Sequence, residues 1–296
     1  MNLPPGWYAI AETCGLSMKK PNALRRFGKD LAVWRDLSGA WIAADDQCPH
    51  RGAKLSGGTV KDGCIVCPFH GFEFESGGSC RFVPELGGKA PGIKVPTVTL
   101  VEKHGLVWYP WRIEPVKNPE IPWFPNLSDD LSYARGAKTW KTHFGRCVEN
   151  QLDYAHLPFV HRTTIGRGFD PKIAPERAFT PESLKATFPG GLSGFEFRFP
   201  NIWTLYISPV MQEFLVFVPV DDETTLIIVR KYNGLTPLRW FNSIIARVMR
   251  PFSNYVLYQD KSVVENQRPK DPRDADHEIL VGSDKAIKKF REWLRS

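Results

Sequence analysis

Two short stretches of this chain combine cysteine with histidine at metal-ligand spacing. They are Cys48-Pro49-His50 and Cys67-Pro68-Phe69-His70, with sixteen residues between His50 and Cys67. Each stretch offers one thiolate sulfur and one imidazole nitrogen. A [2Fe–2S] centre in which two cysteines hold one iron and two histidines hold the other needs this donor set. The neighbouring glycines and prolines predict two tight loops that converge on a metal.

A structural zinc site is the alternative, because the same four side chains could surround zinc as a closed tetrahedron. Zinc fingers usually pair Cys with Cys and His with His, whereas each half here mixes them, so we favour the iron–sulfur centre. Cys64 adds an ambiguity, since it forms a CxxC with Cys67. The apolar run at 63–66 predicts a strand, and we interpret Cys64 as a small buried apolar residue within it.

Asp153, His156 and His161 form a second group of candidate ligands. The periodicity of residues 146–156 predicts a helix, and Pro158 is expected to break it. On an unbroken helix the two histidines would point about 140° apart, so a break is what their convergence requires. Two imidazoles and a carboxylate make the facial triad of non-haem Fe(II) oxygenases. Two ordinary core histidines at a helix end are the alternative.

The elements that must position these residues fall into two parts. Short apolar runs with Gly and Pro punctuation predict an all-β domain over 1–112. Residues 113–136 are proline-rich, with Pro115 and Pro119 among them, and we interpret them as a connector. Over 137–296, strands, a hairpin turning at 221–223 and helices near 237–257 and 285–294 predict an α+β catalytic domain.

Composition and charge narrow the class of protein. The chain has 296 residues and a net charge of +7, which favours acidic partners such as a small ferredoxin or a reductase. It shows no nucleic-acid motif, no apolar run of membrane-spanning length and no signal-peptide pattern, so we expect a cytoplasmic protein without a membrane span. Six cysteines in this length do not indicate a disulfide scaffold.

In both parts, and in their order, the chain resembles the Rieske non-haem iron oxygenases. The two Cys/His stretches match that family's cluster motif, and Glu149-Asn150-x-x-Asp153-x-x-His156-x4-His161 matches its iron motif. The tail is similar to that of oxygenases acting on chlorophyll-type pigments and of related monooxygenases and demethylases. The resemblance implies a Rieske domain of all-β fold followed by a START-like (helix-grip) α+β domain.

The resemblance also implies roles for individual residues. Cys48, His50, Cys67 and His70 would bind the cluster, and His156 and His161 would bind a mononuclear Fe(II). The third iron ligand would be a carboxylate on the late helix, where Gln259–Gln267 looks like the family's segment and places it at Asp260. Glu265 and the Asp221-Asp222 turn are the rival carboxylates. Asn150 and Asp153 are the candidate catalytic residues, Asp153 as the link between the two metal centres.

The function that the resemblance implies is oxygenation of a small cyclic or aromatic molecule by O2. NAD(P)H would supply electrons through a separate flavin reductase, a ferredoxin or both, and three identical subunits would form a ring in which each cluster serves a neighbour's iron. Monooxygenation, including demethylation, is expected, and a dioxygenase stays open. A Rieske electron carrier and a START-like binding protein are the alternatives, although a carrier would need only the first domain.

The walls of the substrate pocket are expected among apolar and aromatic residues of the later strands. Because side chains alternate along a strand, about half of them should face the ordinary core instead. The candidates are Phe195, Phe197, Trp203, Leu205, Ile207, Met211 and Phe214.

Overall fold

The computed structural model divides the chain into two compact units, Trp7–Ile121 with Met1, and Pro122–Ser296 with Asn2–Gly6. It describes residues 1–88, 92–114, 116, 119–127, 132–191, 193–208, 210–236 and 238–296, and only the backbone at 239, 243, 246 and 250. The division lies inside the stretch predicted as a connector. Pro115, in the predicted connector, and Pro237, at the start of a predicted helix, lie outside the described residues.

The first unit is built on a six-stranded antiparallel sheet with the order β1-β10-β9-β4-β3-β2. Its core holds the fully buried indoles of Trp34, Trp41 and Trp108. The strands are β1 (Gly6–Glu12), β2 (Asn22–Arg26), β3 (Lys29–Arg35), β4 (Trp41–Asp45), β9 (Thr97–Lys103) and β10 (Leu106–Trp111).

A smaller four-stranded sheet is inserted between β4 and β9, and it carries the second Cys/His stretch. Its strands are β5 (Thr59–Lys61), β6 (Cys64–Val66), β7 (Glu73–Phe74) and β8 (Cys80–Phe82). A turn at Gly77-Gly78 connects β7 to β8. Gly78 has a positive φ of 81°, and a Cβ there would lie 2.0 Å from the carbonyl oxygen of Val95, so only glycine fits.

The second unit contains a seven-stranded antiparallel sheet with the order β11-β17-β16-β15-β14-β13-β12. The predicted hairpin at 221–223 is confirmed, since it joins β16 to β17. The strands are β11 (Tyr133–Trp140), β12 (Glu176–Phe179), β13 (Ser183–Thr187), β14 (Gly194–Arg198), β15 (Ile202–Ser208), β16 (Met211–Asp221) and β17 (Thr224–Asn233). Strand β11 begins inside the stretch that was predicted as a connector. The sequence did not indicate this start, because the mostly exposed residues of β11 show little apolar alternation.

Among the described residues, four α-helices accompany this sheet: α1 (Phe144–Leu152), α2 (Leu157–Val160), α3 (Arg239–Val264) and α4 (Lys285–Arg295). Helix α3 packs against β11 and β17, and α1 contacts both α3 and α4. The prediction of one helix over 146–156 was wrong in its end, because α1 stops at Leu152 and Asp153 caps it.

A buried network of two arginines and two glutamates holds α1 in place. Arg146 on α1 donates to Glu149 over 2.9 Å and to Glu278 over 2.7 Å. Arg291 on α4 donates to the same two carboxylates, each over 2.6 Å. Burial raises the pKa of Glu149 in spite of these partners. The network therefore fixes the helix whose next residues, Asn150 and Asp153, belong to the candidate site.

Candidate functional site

The two Cys/His loops of the first unit have the same backbone design. The amide of Cys48 donates to the carbonyl of Ala53, and the amide of Gly52 donates back to the carbonyl of Cys48. The second loop has the same two hydrogen bonds. The amide of Cys67 donates to the carbonyl of Phe72, and the amide of Gly71 donates back to the carbonyl of Cys67. Gly52 and Gly71 have φ values of 73° and 71°, a conformation that favours glycine.

The side chains of these loops meet in one place. Both thiols are buried, and the imidazoles of His50 and His70 lie edge to face with 4.6 Å between ring centres. His50 also stacks on Phe72 at 4.8 Å. The buried Nδ1 atom of His70 has no hydrogen-bond partner in the described part of the chain, as expected for a nitrogen that awaits a metal.

The electrostatics of Cys48 also fit a metal. Burial, together with the neighbouring thiol of Cys67, raises the pKa of Cys48 to about 11. A thiolate in this position therefore needs a cation beside it. Two buried sulfurs and two adjacent imidazoles match the donor set of a [2Fe–2S] centre with mixed ligands.

Cys64 occupies a different environment from the two loop cysteines. It is buried on β6, where burial raises the pKa of its thiol, and the charged groups that act on it include Arg81 and Glu73. Glu73 forms ion pairs with Lys61 at 2.9 Å and with Arg81 at 2.7 Å. The thiol of Cys64 therefore faces a structural ion-pair cluster.

In the second unit, three ligand atoms from His156, His161 and Asp260 lie within 4.8 Å of one another. The Oδ1 atom of Asp260 is 2.9 Å from Nε2 of His161 and 3.4 Å from Nε2 of His156. Two imidazoles and one carboxylate on one side of a small space fit a divalent iron and leave coordination positions open.

The backbone between the two histidines explains their convergence. The chain leaves α1 at Asp153 and enters α2 at Leu157, so the break precedes His156 rather than falling at the proline. Pro158 sits in the first turn of α2, where its missing N–H costs nothing. His161 follows the end of α2, and the amide of Gly166 donates to the His161 carbonyl over 3.0 Å.

Opposite charges hold the ligand set together. Burial opposes the charge on His156, but the carboxylates of Asp153 and Asp260 outweigh it and raise the pKa of His156 to about 9. Burial likewise works against the charge of Asp260, and the two histidines still lower its pKa. A divalent cation would replace the proton in this arrangement.

Side chains around the ligands orient them, and one of these was missed by sequence reasoning. The Oε1 atom of Gln259 lies 3.0 Å from Nδ1 of His161 and accepts from Oγ1 of Thr164 over 2.9 Å. This contact leaves Nε2 of His161 free to face Asp260. Asn150 donates to Oδ1 of Asp260 over 3.3 Å. Gln259 directly precedes Asp260, and neighbours of candidate ligands are where such partners are to be sought.

Asp153 lies beside His156 without joining the ligand group. Its Oδ2 atom is 3.5 Å from Nδ1 of His156, which is long for a hydrogen bond, and its Oδ1 accepts from the amide of Ala155 over 2.7 Å. The carboxylate is partly exposed and lines the same cavity as the ligands.

The rival carboxylates point elsewhere. Glu265 follows the end of α3 and accepts from the amide of Lys141 over 2.5 Å. Asp221 accepts from the amide of Glu223 within the hairpin turn, and Asp222 is exposed. Neither is part of the group around His156 and His161 among the described residues.

A cavity of about 570 Å³ adjoins the ligand group. Its volume suits a small organic molecule. Two of the expected wall residues pack elsewhere: Phe197 lies against Phe290 and Trp293 of α4, and Phe214 against Trp123 and Phe124. The other five line the cavity: Phe195, Trp203, Leu205, Ile207 and Met211.

One ion pair interrupts this apolar wall. The Nζ atom of Lys231 lies 2.9 Å from Oε2 of Glu213 on the neighbouring strand, and both residues line the cavity. Together they present a donor and an acceptor with no net charge.

Comparison with known proteins agrees with both halves of this description. A family model for the Rieske [2Fe-2S] domain matches residues 6–99. Methylxanthine N1-demethylase NdmA of Pseudomonas putida is 28% identical over 98% of this chain and 87% of its own length. Chlorophyllide a oxygenase of Arabidopsis thaliana is 26% identical over 97% of this chain, which spans 56% of that longer protein.

Solved structures show the same architecture. A mutant of NdmA from Pseudomonas putida CBB5 with theobromine matches with a TM-score of 0.79 and 27% identity, over 98% of this chain and 89% of that one. Dicamba monooxygenase bound to 3,6-dichlorosalicylic acid gives a TM-score of 0.82 over 98% and 96% of the two chains, and at 21% identity it supports the fold alone.

These similarities define the class of protein, which is an oxidoreductase that carries a Rieske domain and uses iron. The chain carries a Rieske [2Fe-2S] domain, and it is similar over 98% of its length to NdmA, by its name an N-demethylase. Members of this class combine a Rieske cluster with a mononuclear iron and O2, and they receive electrons from outside the chain. No helix that the structure describes is long and apolar enough to cross a membrane.

Proposed function

We propose that this chain is the oxygenase component of a system that hydroxylates or oxidatively demethylates a small cyclic or aromatic molecule. The observation that carries the proposal is the convergence of His156, His161 and Asp260 beside a cavity of about 570 Å³. The Rieske domain matched at 6–99 provides for the electrons that such a reaction consumes. NdmA, by its name an N-demethylase, supports demethylation as one form of this chemistry.

In this proposal Cys48 and Cys67 hold one iron of the cluster, and His50 and His70 hold the other. His156, His161 and Asp260 hold the mononuclear iron. When these groups are bound, the cluster passes single electrons and the mononuclear iron activates O2. The two histidines would hold the iron through Nε2 in their neutral form, so at neutral pH the proton that His156 carries would have to leave the site.

The surrounding side chains keep the ligands in register. Oε1 of Gln259 accepts a hydrogen bond from the Nδ1–H group of His161. This bond selects the tautomer whose Nε2 has a free lone pair. Asn150 steadies Asp260 by donating to its Oδ1 atom. The largely apolar wall would limit the access of water to the site, which would protect the reduced metal from side reactions.

Asp153 is proposed as the link between the two centres. Its carboxylate is close enough to Nδ1 of His156 to hold that ring after a small approach. The other oxygen, Oδ1, accepts from the amide of Ala155 and is able to accept a second hydrogen bond from another donor. The family resemblance suggests that this donor is His70 of a neighbouring subunit in a ring of three identical chains. Electrons would come from NAD(P)H through a reductase, with or without a ferredoxin.

The cavity suggests the character of the substrate. Aromatic and aliphatic side chains form most of its wall, so a largely apolar molecule is favoured. The ion pair of Glu213 and Lys231 offers one acceptor and one donor to a polar substituent. Because the ion pair carries no net charge, it favours a neutral polar group on the substrate over a substrate carboxylate.

The second unit is proposed to be a START-like (helix-grip) domain. Its seven-stranded antiparallel sheet and the long helix α3, which packs against β11 and β17, support this assignment. The cavity lies among residues of the sheet strands and of α3.

Metal analysis of three purified proteins tests the proposal. We expect the natural chain to contain three irons, two in the cluster and one mononuclear. Asp260→Ala should contain two and lose O2-dependent turnover, while the control Glu265→Ala keeps three. An electron carrier would have two irons in the natural chain, and a zinc protein none. Three irons in Asp260→Ala would place the third ligand elsewhere.

A further inference from the structure

Helix α3 has an exposed apolar face for which the described part of the chain provides no cover. At about 100° per residue, its members form a stripe about 120° wide. Trp240 is 63% exposed and Val248 is 73% exposed, values that are unusual for side chains of this size. The face, named here the α3 apolar face, consists of Trp240, Phe241, Ile244, Val248, Phe252, Tyr255 and Tyr258.

The charge around this face has one sign. No Asp or Glu occurs between Glu223 and Asp260, whereas the helix contains Arg239, Arg247 and Arg250. Arg247 is exposed and, at 100° per residue, lies about 20° beyond the edge of the stripe that Trp240 and Tyr258 form. A partner for this helix must therefore offer an apolar surface bordered by negative charge.

We propose that the α3 apolar face binds the surface of an anionic lipid membrane. Aromatic and aliphatic side chains on one side of a helix, next to an exposed arginine and with no acidic residue in the helix before Asp260, resemble the composition of helices that lie in the membrane interface. Trp and Tyr are suited to the membrane interface, since their rings are apolar and their N–H or O–H groups remain hydrated there. The helix lies along the surface, because its arginines and its packing on β11 and β17 are incompatible with crossing.

The same helix connects the exposed face with the cavity. Met249, Val256 and Leu257 line the cavity from the adjacent side of α3, next to the ligand Asp260. Phe252 belongs to both surfaces, since it lines the cavity and is 50% exposed. A membrane-bound α3 would thus place the cavity wall beside the lipid. This connection rests on the proposed function and indicates a lipid-soluble substrate, whereas the membrane binding itself does not depend on it.

Sedimentation with vesicles tests the membrane binding without any need for iron or turnover. We expect the full chain to sediment with vesicles of phosphatidylcholine and phosphatidylglycerol, and less with phosphatidylcholine alone. Trp240→Glu combined with Val248→Glu should lower the partition constant about tenfold or more, since each loses its apolar burial. Ile279→Glu is the matched control, because Ile279 is 90% exposed and lies outside α3.

Charge reversal provides a second variant that leaves the apolar face intact. Arg247→Glu should weaken binding to the anionic vesicles about tenfold or more, since each basic residue near such a surface contributes about 1 kcal/mol. The exposed Lys20 in the first unit serves as the control, as Lys20→Glu. Both α3 variants should elute on size exclusion as the natural chain does.

Two results would overturn the proposal. One is a natural chain that fails to bind anionic vesicles, and the other is a double variant at Trp240 and Val248 that binds as well as the Ile279→Glu control. In the first case, oligomers that dissociate on Val248→Glu would assign the face to a second copy of this chain. Metal content and turnover are measured separately, so failure here leaves the oxygenase proposal to its own test.

Discussion

The Oε1 atom of Gln259 lies 3.0 Å from Nδ1 of His161, although 98 residues separate them in the chain. Because Asp260 follows Gln259 directly, one short piece of α3 supplies both a proposed iron ligand and the group that orients another. The same glutamine accepts from Thr164, so its amide oxygen is held in place from the loop that follows α2.

Replacing Gln259 by leucine should weaken the mononuclear site while sparing the cluster. The imidazole of His161 would lose the acceptor that fixes its tautomer, and we expect Fe(II) affinity to fall about 10–100-fold. Titration of the chelator-treated protein with Fe(II) measures this change. Gln267→Leu, the same change at an exposed position shortly after the end of α3, is the control. Unchanged affinity in Gln259→Leu would show that His161 needs no support from this side.

Cys67→Ser should abolish the cluster, whereas Cys64→Ser should keep it. An alcohol is a poor substitute for a thiolate on iron, and Cys67 shares its loop with His70. Cys64 instead lies on β6 near Glu73 and Arg81. Visible absorption and the EPR signal of the reduced protein distinguish the two variants. The reverse pattern, with a signal in Cys67→Ser alone, would exchange the roles of the two cysteines.

Asp153→Asn should fold, retain both metals and reduce its cluster normally, and yet turn over about 10–100-fold more slowly. The amide keeps the size of the side chain but removes the charged acceptor beside His156. Rapid mixing of the reduced enzyme with O2 and substrate follows reoxidation of the cluster. Asp276→Asn, a change at an exposed carboxylate, controls for the loss of one charge. Normal reoxidation in Asp153→Asn would contradict the linking role.

Arg291→Met should destabilise the second unit by about 3–5 kcal/mol, because it leaves the buried Glu149 carboxylate short of a partner. Chemical denaturation gives the free energy of unfolding. Lys288→Met, three positions earlier on an exposed part of α4, should change it little. Equal stability of the two variants would mean that Arg146 alone satisfies Glu149.

Glu73→Gln should destabilise the first unit at neutral pH and lose this effect in acid. The hydrogen bond from Lys61, with the ion pair to Arg81, lowers the pKa of Glu73 in the folded chain in spite of burial. A carboxyl with a lowered pKa contributes its full stabilisation above its unfolded pKa of about 4.3, and the contribution is lost as pH falls from that value through the lower pKa of the folded chain. Thermal unfolding at several pH values measures the difference, with the exposed Glu75→Gln as control. A difference that does not decrease as the pH is lowered from neutral through the carboxyl range would exclude the charge as its cause.

The sequence by itself determined the chemistry of the two sites. Ligand types and short spacings are local properties, so Cys48, His50, Cys67 and His70 could be named without a fold. The loops around them follow from glycines such as Gly52 and Gly71, whose positive φ few other residues tolerate. The hairpin at 221–223 was equally local and was found for the same reason.

Tertiary structure decided everything that depends on distant residues. Asp260 lies beside His161 across 99 residues, and Glu265 looked comparable until the end of α3 turned it toward Lys141. The predicted position of the helix break, at Pro158, was wrong, because a proline can mark the start of a helix as well as its end. Alternation could not show that Phe197 and Phe214 pack away from the cavity. A sequence gives the pattern of a face, but only the packed neighbours decide which face is covered, and this is why the exposed side of α3 emerged from the structure alone.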